Sequence, residues 1–208
     1  MRPGQSPVAE KRLMSLRRKL RGPSLFQSYK AVMQSLVADG YAVRVPQSEL
    51  TPSSGDVWYL PHHAVVTQGH HCVTTPSKVR VVFDCAVRAG GACLNDILRG
   101  GLHLGQPLNA VIARFREGRK ALTCDIEAMY HRVHVPARDS DLFLFLWFND
   151  DDLSGDVEVW HMRSHVFGSV SSSSVACLAV QLCAEEGKGQ FPAAADALRR
   201  RTYIADTL

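Results

Sequence analysis

The chain has 208 residues, of which 46% are hydrophobic and 21% charged, with a formal net charge of +4. This is ordinary for a soluble globular chain, and a domain of this size buries a core without disulfide staples. No run reaches the ~18 apolar residues of a membrane helix, and no apolar stretch follows the amino-terminal charges as a secretory signal would require.

Residues 1–8 hold Pro, Gly and Ser and read as disordered. Residues 9–21 read as a basic helix: residues 1–30 carry eight Lys or Arg against a single acid, Glu10. Arg17, Arg18 and Lys19 make that helix a candidate contact for a phosphate backbone, the alternative being a solvated helix face. Ser24 is placed to cap a second helix running to Asp39, which Gly40 ends because glycine accepts the left-handed conformation. Residues 46–56 read as a loop. Residues 57–60 and 79–83 are β-branched and aromatic, hence strands.

From Pro107 the apolar positions Leu108, Val111, Ile112 and Phe115 recur at helical spacing as far as Gly118. Three strands are expected next, over residues 121–126, 131–135 and 142–148. The last is apolar on both faces and is therefore expected at the centre of a sheet. Residues 150–155 read as a turn and 157–163 as the returning strand of a hairpin. Helices are expected over 171–186 and 191–200, and residues 202–204 begin a strand. The six cysteines form no CxxC pair and read as reduced thiols of an intracellular protein, in cytoplasm or nucleus.

Two aspartates stand at strand ends: Asp125 closes Leu122-Thr123-Cys124-Asp125, and Asp206 follows Tyr203-Ile204-Ala205. Carboxylates presented from adjacent strand ends are how two-metal phosphoryl-transfer sites are built, with two Mg²⁺ about 3.5–4 Å apart. On their own, two distant aspartates are a weak signal, since a strand-terminal Asp is most often a cap or turn residue.

The surrounding blocks are more specific. In order they are Asp39-Gly40-Tyr41-Ala42 with Val45-Pro46; Val57-Trp58-Tyr59-Leu60-Pro61-His62-His63; Lys78-Val79-Arg80-Val81-Val82-Phe83-Asp84-Cys85; Leu94-Asn95-Asp96; Arg114-Phe115-Arg116; Asp125-Ile126-Glu127-Ala128-Met129-Tyr130-His131; and His165-Val166-Phe167-Gly168. In their order and spacing the chain resembles the reverse transcriptases of BEL/Pao-type long-terminal-repeat retrotransposons, from about Lys11 to the last residue. The resemblance implies an α+β fold, the fingers and palm of a right-hand polymerase, with a mixed or antiparallel palm sheet and helices on one face. It implies basic amino-terminal helices and a loop over 9–56, fingers over 57–116 and palm over 117–208.

It also implies roles. Lys78 and Arg80 would grip the triphosphate of an incoming dNTP, where a guanidinium fits two oxygens at once. Asp125, the backbone carbonyl of Ile126 and Asp206 would hold Mg²⁺, with Asp125 and Asp206 catalytic. Tyr130 would be the ring that collides with a ribose 2′-OH. Gly168 would let backbone approach the nascent base pair. The partners implied are an RNA or DNA template-primer and dNTPs, with no membrane.

Three departures from the family pattern follow. Ala205 stands where the motif has its first aspartate, and a methyl group cannot ligate Mg²⁺. A proline that relatives carry near Ser173 is missing. The chain ends at Leu208, so the strand that should return behind the aspartates is expected to be absent, and a lone Ala205→Asp change is expected not to restore activity. The expectation is a degenerate or truncated polymerase fragment, weak or inactive. Two alternatives stand beside it: a non-catalytic nucleic-acid-binding module derived from such a polymerase, and a small zinc-binding domain using His62, His63, His70, His71 and Cys72.

Overall fold

The computed structural model describes residues 5–46, 48, 57–67 and 78–207. Much of the expected 46–56 loop, and His70, His71 and Cys72, lie outside them. The described part is mixed α+β with small antiparallel sheets. The chain divides into two units, one of Met1–Ile97 with His134–Ser169 and one of Leu98–Val133 with Val170–Leu208.

The first unit begins with α1 (Gln5–Lys19), which buries Ala9, Leu13 and Leu16 along one helical stripe that continues to Leu20. Residues 5–8, expected to be disordered, are its first turn. Pro7 is compatible with that position because first-turn N–H groups have no helical partner anyway. Next, α2 (Pro23–Ala38) has Pro23 at its start and Gly22 at its cap, with no side-chain cap, so Ser24 does not play the capping part expected of it. At the other end Gly40 has φ +74°, its N–H donates to the Val37 carbonyl, and the Tyr41 N–H donates to the Leu36 carbonyl. That pair of bonds is the glycine stop read from sequence.

Strands β1 (Ala42–Arg44), β5 (Leu144–Phe148) and β6 (Val157–Met162) form an antiparallel sheet in the order β1-β6-β5. All five β5 residues are buried. The sequence pattern points to a sheet centre for this strand, but it is an edge strand. α1 packs against it, the rings of Tyr29, His62 and Phe83 lie against Trp147 and Phe145, and the extended segment at 57–60 bridges its free edge through Tyr59 and Leu144. That segment is buried but makes only this isolated bridge, so it is not the regular strand expected. The strand lies just beyond it: β2 (His62–Thr67) pairs antiparallel with β3 (Lys78–Phe83). The first unit also contains the short α3 (Leu94–Ile97).

The second unit holds α4 (Leu108–Phe115), α5 (Ser172–Gly187) and α6 (Pro192–Arg200), with α5 packed on α6. The expected strand over 121–126 contracts to β4 (Cys124–Asp125). The expected strand over 131–135 is not formed: Met129–Arg132 is a 3₁₀ turn entered through Ala128 at φ +52°. His134 makes only an isolated bridge to Ser164. The alternation of polar and apolar residues at 131–135 mimics a strand, while the chain there is turning. Last, β7 (Thr202–Tyr203) and β8 (Asp206–Thr207) form a hairpin, and β8 also pairs with β4. The returning strand expected to be absent is therefore present, two residues long. The described cysteines, Cys85, Cys93, Cys124, Cys177 and Cys183, are free thiols. No helix among the described residues is long and apolar enough to cross a membrane.

Candidate functional site

In the second unit, the sheet β4-β8-β7 brings the sequence-distant carboxylates together. Asp125 lies directly opposite Asp206, and Asp206 directly opposite Tyr203. Residues facing each other across antiparallel strands share a face, so these three side chains form one row. Both aspartates are exposed. The other row, Cys124, Thr207 and Thr202, lies on the opposite face, where Thr202 and Thr207 are buried and their hydroxyls are hydrogen-bonded at 2.8 Å. One face is thus anchored by a threonine pair, and the other presents two carboxylates to solvent. Like charges directly opposite repel, and a divalent cation between them would relieve that.

The hairpin turn is Ile204-Ala205, with Ile204 at φ +57°. A β-branched residue in the left-handed region costs about 1–2 kcal/mol. The Ala205 carbonyl accepts from the Ile126 N–H at 3.0 Å, tying the turn to the strand end. The donor set is all oxygen, which fits Mg²⁺: two carboxylates, with the Ile126 carbonyl as the third group named from sequence. Ala205, in the turn between them, offers a methyl side chain and no ligand. Among the described residues no group of three or more His, Cys, Asp or Glu side chains gathers as a metal set.

Tyr130 follows in the 3₁₀ turn, and its hydroxyl is hydrogen-bonded at 3.1 Å to the Oγ of Ser173. At the same end of α5, Ser174 donates to the Gly100 carbonyl at 2.6 Å. Arg114 donates to the Arg200 carbonyl and Arg201 to the Arg114 carbonyl, so the ends of α4 and α6 cap each other. Arg114, part of one of the sequence blocks, is therefore held by structural bonds.

In the first unit, Lys78 and Arg80 lie on one exposed face of β3, two residues apart. Arg80 Nη1 donates to Thr67 Oγ1 at 2.8 Å, which aligns the guanidinium along the hairpin. Gly168 has φ +102°, and a Cβ there would sit 3.2 Å from the Phe83 carbonyl oxygen. The φ favours glycine, and a side chain would in addition crowd the Phe83 carbonyl. Asn95, which the sequence assigns no role, donates from Nδ2 to the Gly168 carbonyl at 3.0 Å.

His62 is a core group. It is 5% exposed, its Nδ1 pairs with the Tyr29 hydroxyl, and its Nε2 pairs with the Leu146 carbonyl at 2.8 Å. The carbonyl can only accept, so Nε2 carries the proton and Nδ1 accepts from Tyr29. Burial lowers the His62 pKa to about 4. Both ring nitrogens of His62 are engaged in these two bonds, and His70, His71 and Cys72 of the zinc set considered from sequence lie outside the described residues.

On α1, Arg17, Arg18 and Lys19 occupy the last turn, where cations complement the helix dipole. All three are exposed. Arg17 is placed over the Phe148 ring at 5.8 Å, a cation–π contact that gives it a packing role beyond charge. No protein-family model and no curated protein gives a significant match to this chain.

Proposed function

We propose that this chain is the fingers and palm portion of an RNA-directed DNA polymerase of the BEL/Pao retrotransposon type, with nucleotidyl transfer weakened by Ala205. The observation that carries the reading is the pairing of Asp125 with Asp206 on one exposed sheet face, from two segments that only the motif order connects. Asp125, the Ile126 carbonyl and Asp206 are assigned to Mg²⁺, which when bound supplies charge stabilisation for the attacking and leaving oxygens. Lys78 and Arg80 are assigned to the dNTP triphosphate, Tyr130 to exclusion of a 2′-OH, and Gly168 to close approach of backbone to the base pair. The partners are an RNA or DNA template-primer and dNTPs.

Ala205 removes one carboxylate from the set that stabilises developing charge. A loss of several kcal/mol there lowers rate by orders of magnitude, at a factor of ten per ~1.4 kcal/mol. Primer extension on poly(rA)/oligo(dT) with Mg²⁺ or Mn²⁺ tests this. Extension by the wild-type chain is expected to be slow or nil. Brisk extension that depends on Asp125 would keep the polymerase assignment and overturn the claim of impairment.

A second reading is a nucleic-acid-binding module without catalysis. The exposed pair Arg18 and Lys19 favours it, because these cations are available to phosphates whether or not the metal set is complete. Duplex binding with no dependence on Mg²⁺ or dNTP would select this reading.

A further inference from the structure

The block Leu94-Asn95-Asp96 has no role in the proposed function, yet each of its residues is anchored. Leu94 is fully buried. Asp96 Oδ2 accepts from the Cys93 N–H at 3.0 Å and is ion-paired with Arg88 at 3.2 Å, which fixes the start of α3. The hydrogen bond from Cys93 holds the Asp96 carboxyl below its usual range. Between these two anchors, Asn95 reaches two ways. Its backbone N–H donates to the Cys85 carbonyl at 3.2 Å, and its Nδ2 donates to the Gly168 carbonyl at 3.0 Å.

Both acceptors adjoin the residues assigned to the nucleotide. Cys85 follows closely on β3, the strand carrying Lys78 and Arg80. Gly168 faces the end of that same strand, with the Phe83 carbonyl 3.2 Å from where a Cβ would be. The Gly168 peptide is therefore clasped from two sides, by the Phe83 carbonyl against its Cα and by the Asn95 amide on its oxygen. We propose that Asn95 is a positioning residue that holds the Gly168 peptide for the sugar and base of a bound deoxynucleoside triphosphate. This rests on the nucleotide-site reading above and names the residue that orders one part of it. The physical gain is preorganisation: a peptide already fixed loses less freedom when the nucleotide binds.

The clasp acts on Gly168, not on the triphosphate cations, and that separates it from a general structural role. Binding of dTTP and of inorganic tripolyphosphate would be measured by calorimetry, with poly(rA)/oligo(dT) and Mg²⁺ present. Asn95→Ala is expected to weaken dTTP binding about 5- to 10-fold, the worth of one hydrogen bond, and to leave tripolyphosphate binding unchanged. Arg80→Ala is expected to weaken both ligands. Asn95→Gln, which keeps an amide donor, is expected to retain more dTTP affinity than Asn95→Ala. If Asn95→Ala does not fold, the near-isosteric Asn95→Asp, which lacks the donor, replaces it. Unchanged dTTP affinity, or equal loss for both ligands, overturns the role of Asn95 while leaving the nucleotide site standing. Absence of dTTP binding by the wild-type chain, with or without template-primer, overturns the nucleotide site itself and this inference with it.

Discussion

Asp125 and Asp206 face each other across the antiparallel pair β4–β8, on the side of the sheet that the Thr202–Thr207 hydroxyl pair does not occupy. Two carboxylates so placed repel until a cation lies between them. Asp206→Asn is therefore expected to be neutral or stabilising by a few tenths of a kcal/mol without divalent metal. The proposed Mg²⁺ assignment further predicts that Mg²⁺ or Mn²⁺ raises the unfolding temperature of the wild type and that this variant loses most of the rise. Thermal melts with metal and with EDTA check both halves.

The hairpin β7–β8 alters the expectation for position 205. The sequence places the damage both in Ala205 and in a missing return strand, but the return strand is formed. On the proposed polymerase reading, the remaining deficit is one carboxylate at the turn. Ala205→Asp is expected to tighten Mn²⁺ binding by about tenfold or more, since each ~1.4 kcal/mol of added charge interaction is a factor of ten. Titration of Mn²⁺ by its paramagnetic signal measures it. An unchanged affinity would mean that the turn points residue 205 away from the metal.

His62 sets a pH dependence of stability. Its pKa is lowered from 6.5 to about 4 in the folded chain, because burial disfavours the charged ring. The unfolded chain thus binds the extra proton first, and stability falls as pH drops from about 6.5 towards 4. The full loss is on the order of 3 kcal/mol. Urea midpoints across this range should fall steeply for the wild type and less for His62→Gln. Tyr29→Phe should cost about 1–3 kcal/mol at neutral pH by leaving the ring nitrogen Nδ1 unpaired.

Arg17 and its two neighbours should separate by experiment. Arg17→Gln removes the cation from above the Phe148 ring and is expected to lower stability by about 0.5–1 kcal/mol. Neutralising Arg18 and Lys19 should cost only a few tenths of a kcal/mol each, through the lost helix-dipole interaction. It should also reduce the salt slope of duplex binding by about one for each phosphate no longer neutralised. Urea melts and a salt series of binding titrations read these outcomes separately.

Gly168→Ala combines strain at φ +102° with a 3.2 Å approach of the new Cβ to the Phe83 carbonyl. A loss of about 1–3 kcal/mol is expected, read from the denaturant midpoint.

The legible parts of the fold are those with strong local signals. Gly40 stops α2 because only glycine takes that conformation cheaply, and the hairpin β5–β6 follows from two apolar runs around a polar turn. Residues 131–135 mislead because their alternation carries no sign of the bend that Ala128 initiates. The burial of β5 misleads in another way: β6 pairs with one edge, but the other is bridged by the irregular segment at 57–60 instead of a second strand, while a helix and aromatic rings pack on it. At the site, Asp125 and Asp206 can be named from sequence, yet their register cannot. Register depends on pairing between segments far apart in the chain, which no local pattern encodes. Asn95 shows only as part of a block, because a side-chain amide reaching a glycine carbonyl across the fold leaves no spacing to detect.

If Asp125 belongs to a template-directed nucleotide site, nucleotide choice must follow the template and weaken with that carboxylate. The decisive quantity is the affinity of the wild-type chain for each of the four dNTPs with poly(rA)/oligo(dT) and Mg²⁺, repeated with Asp125→Asn. dTTP is expected to bind best, the preference to disappear without template-primer, and Asp125→Asn to weaken dTTP by about tenfold or more. Equal binding of all four dNTPs, indifferent to template and to Asp125, would contradict the assignment.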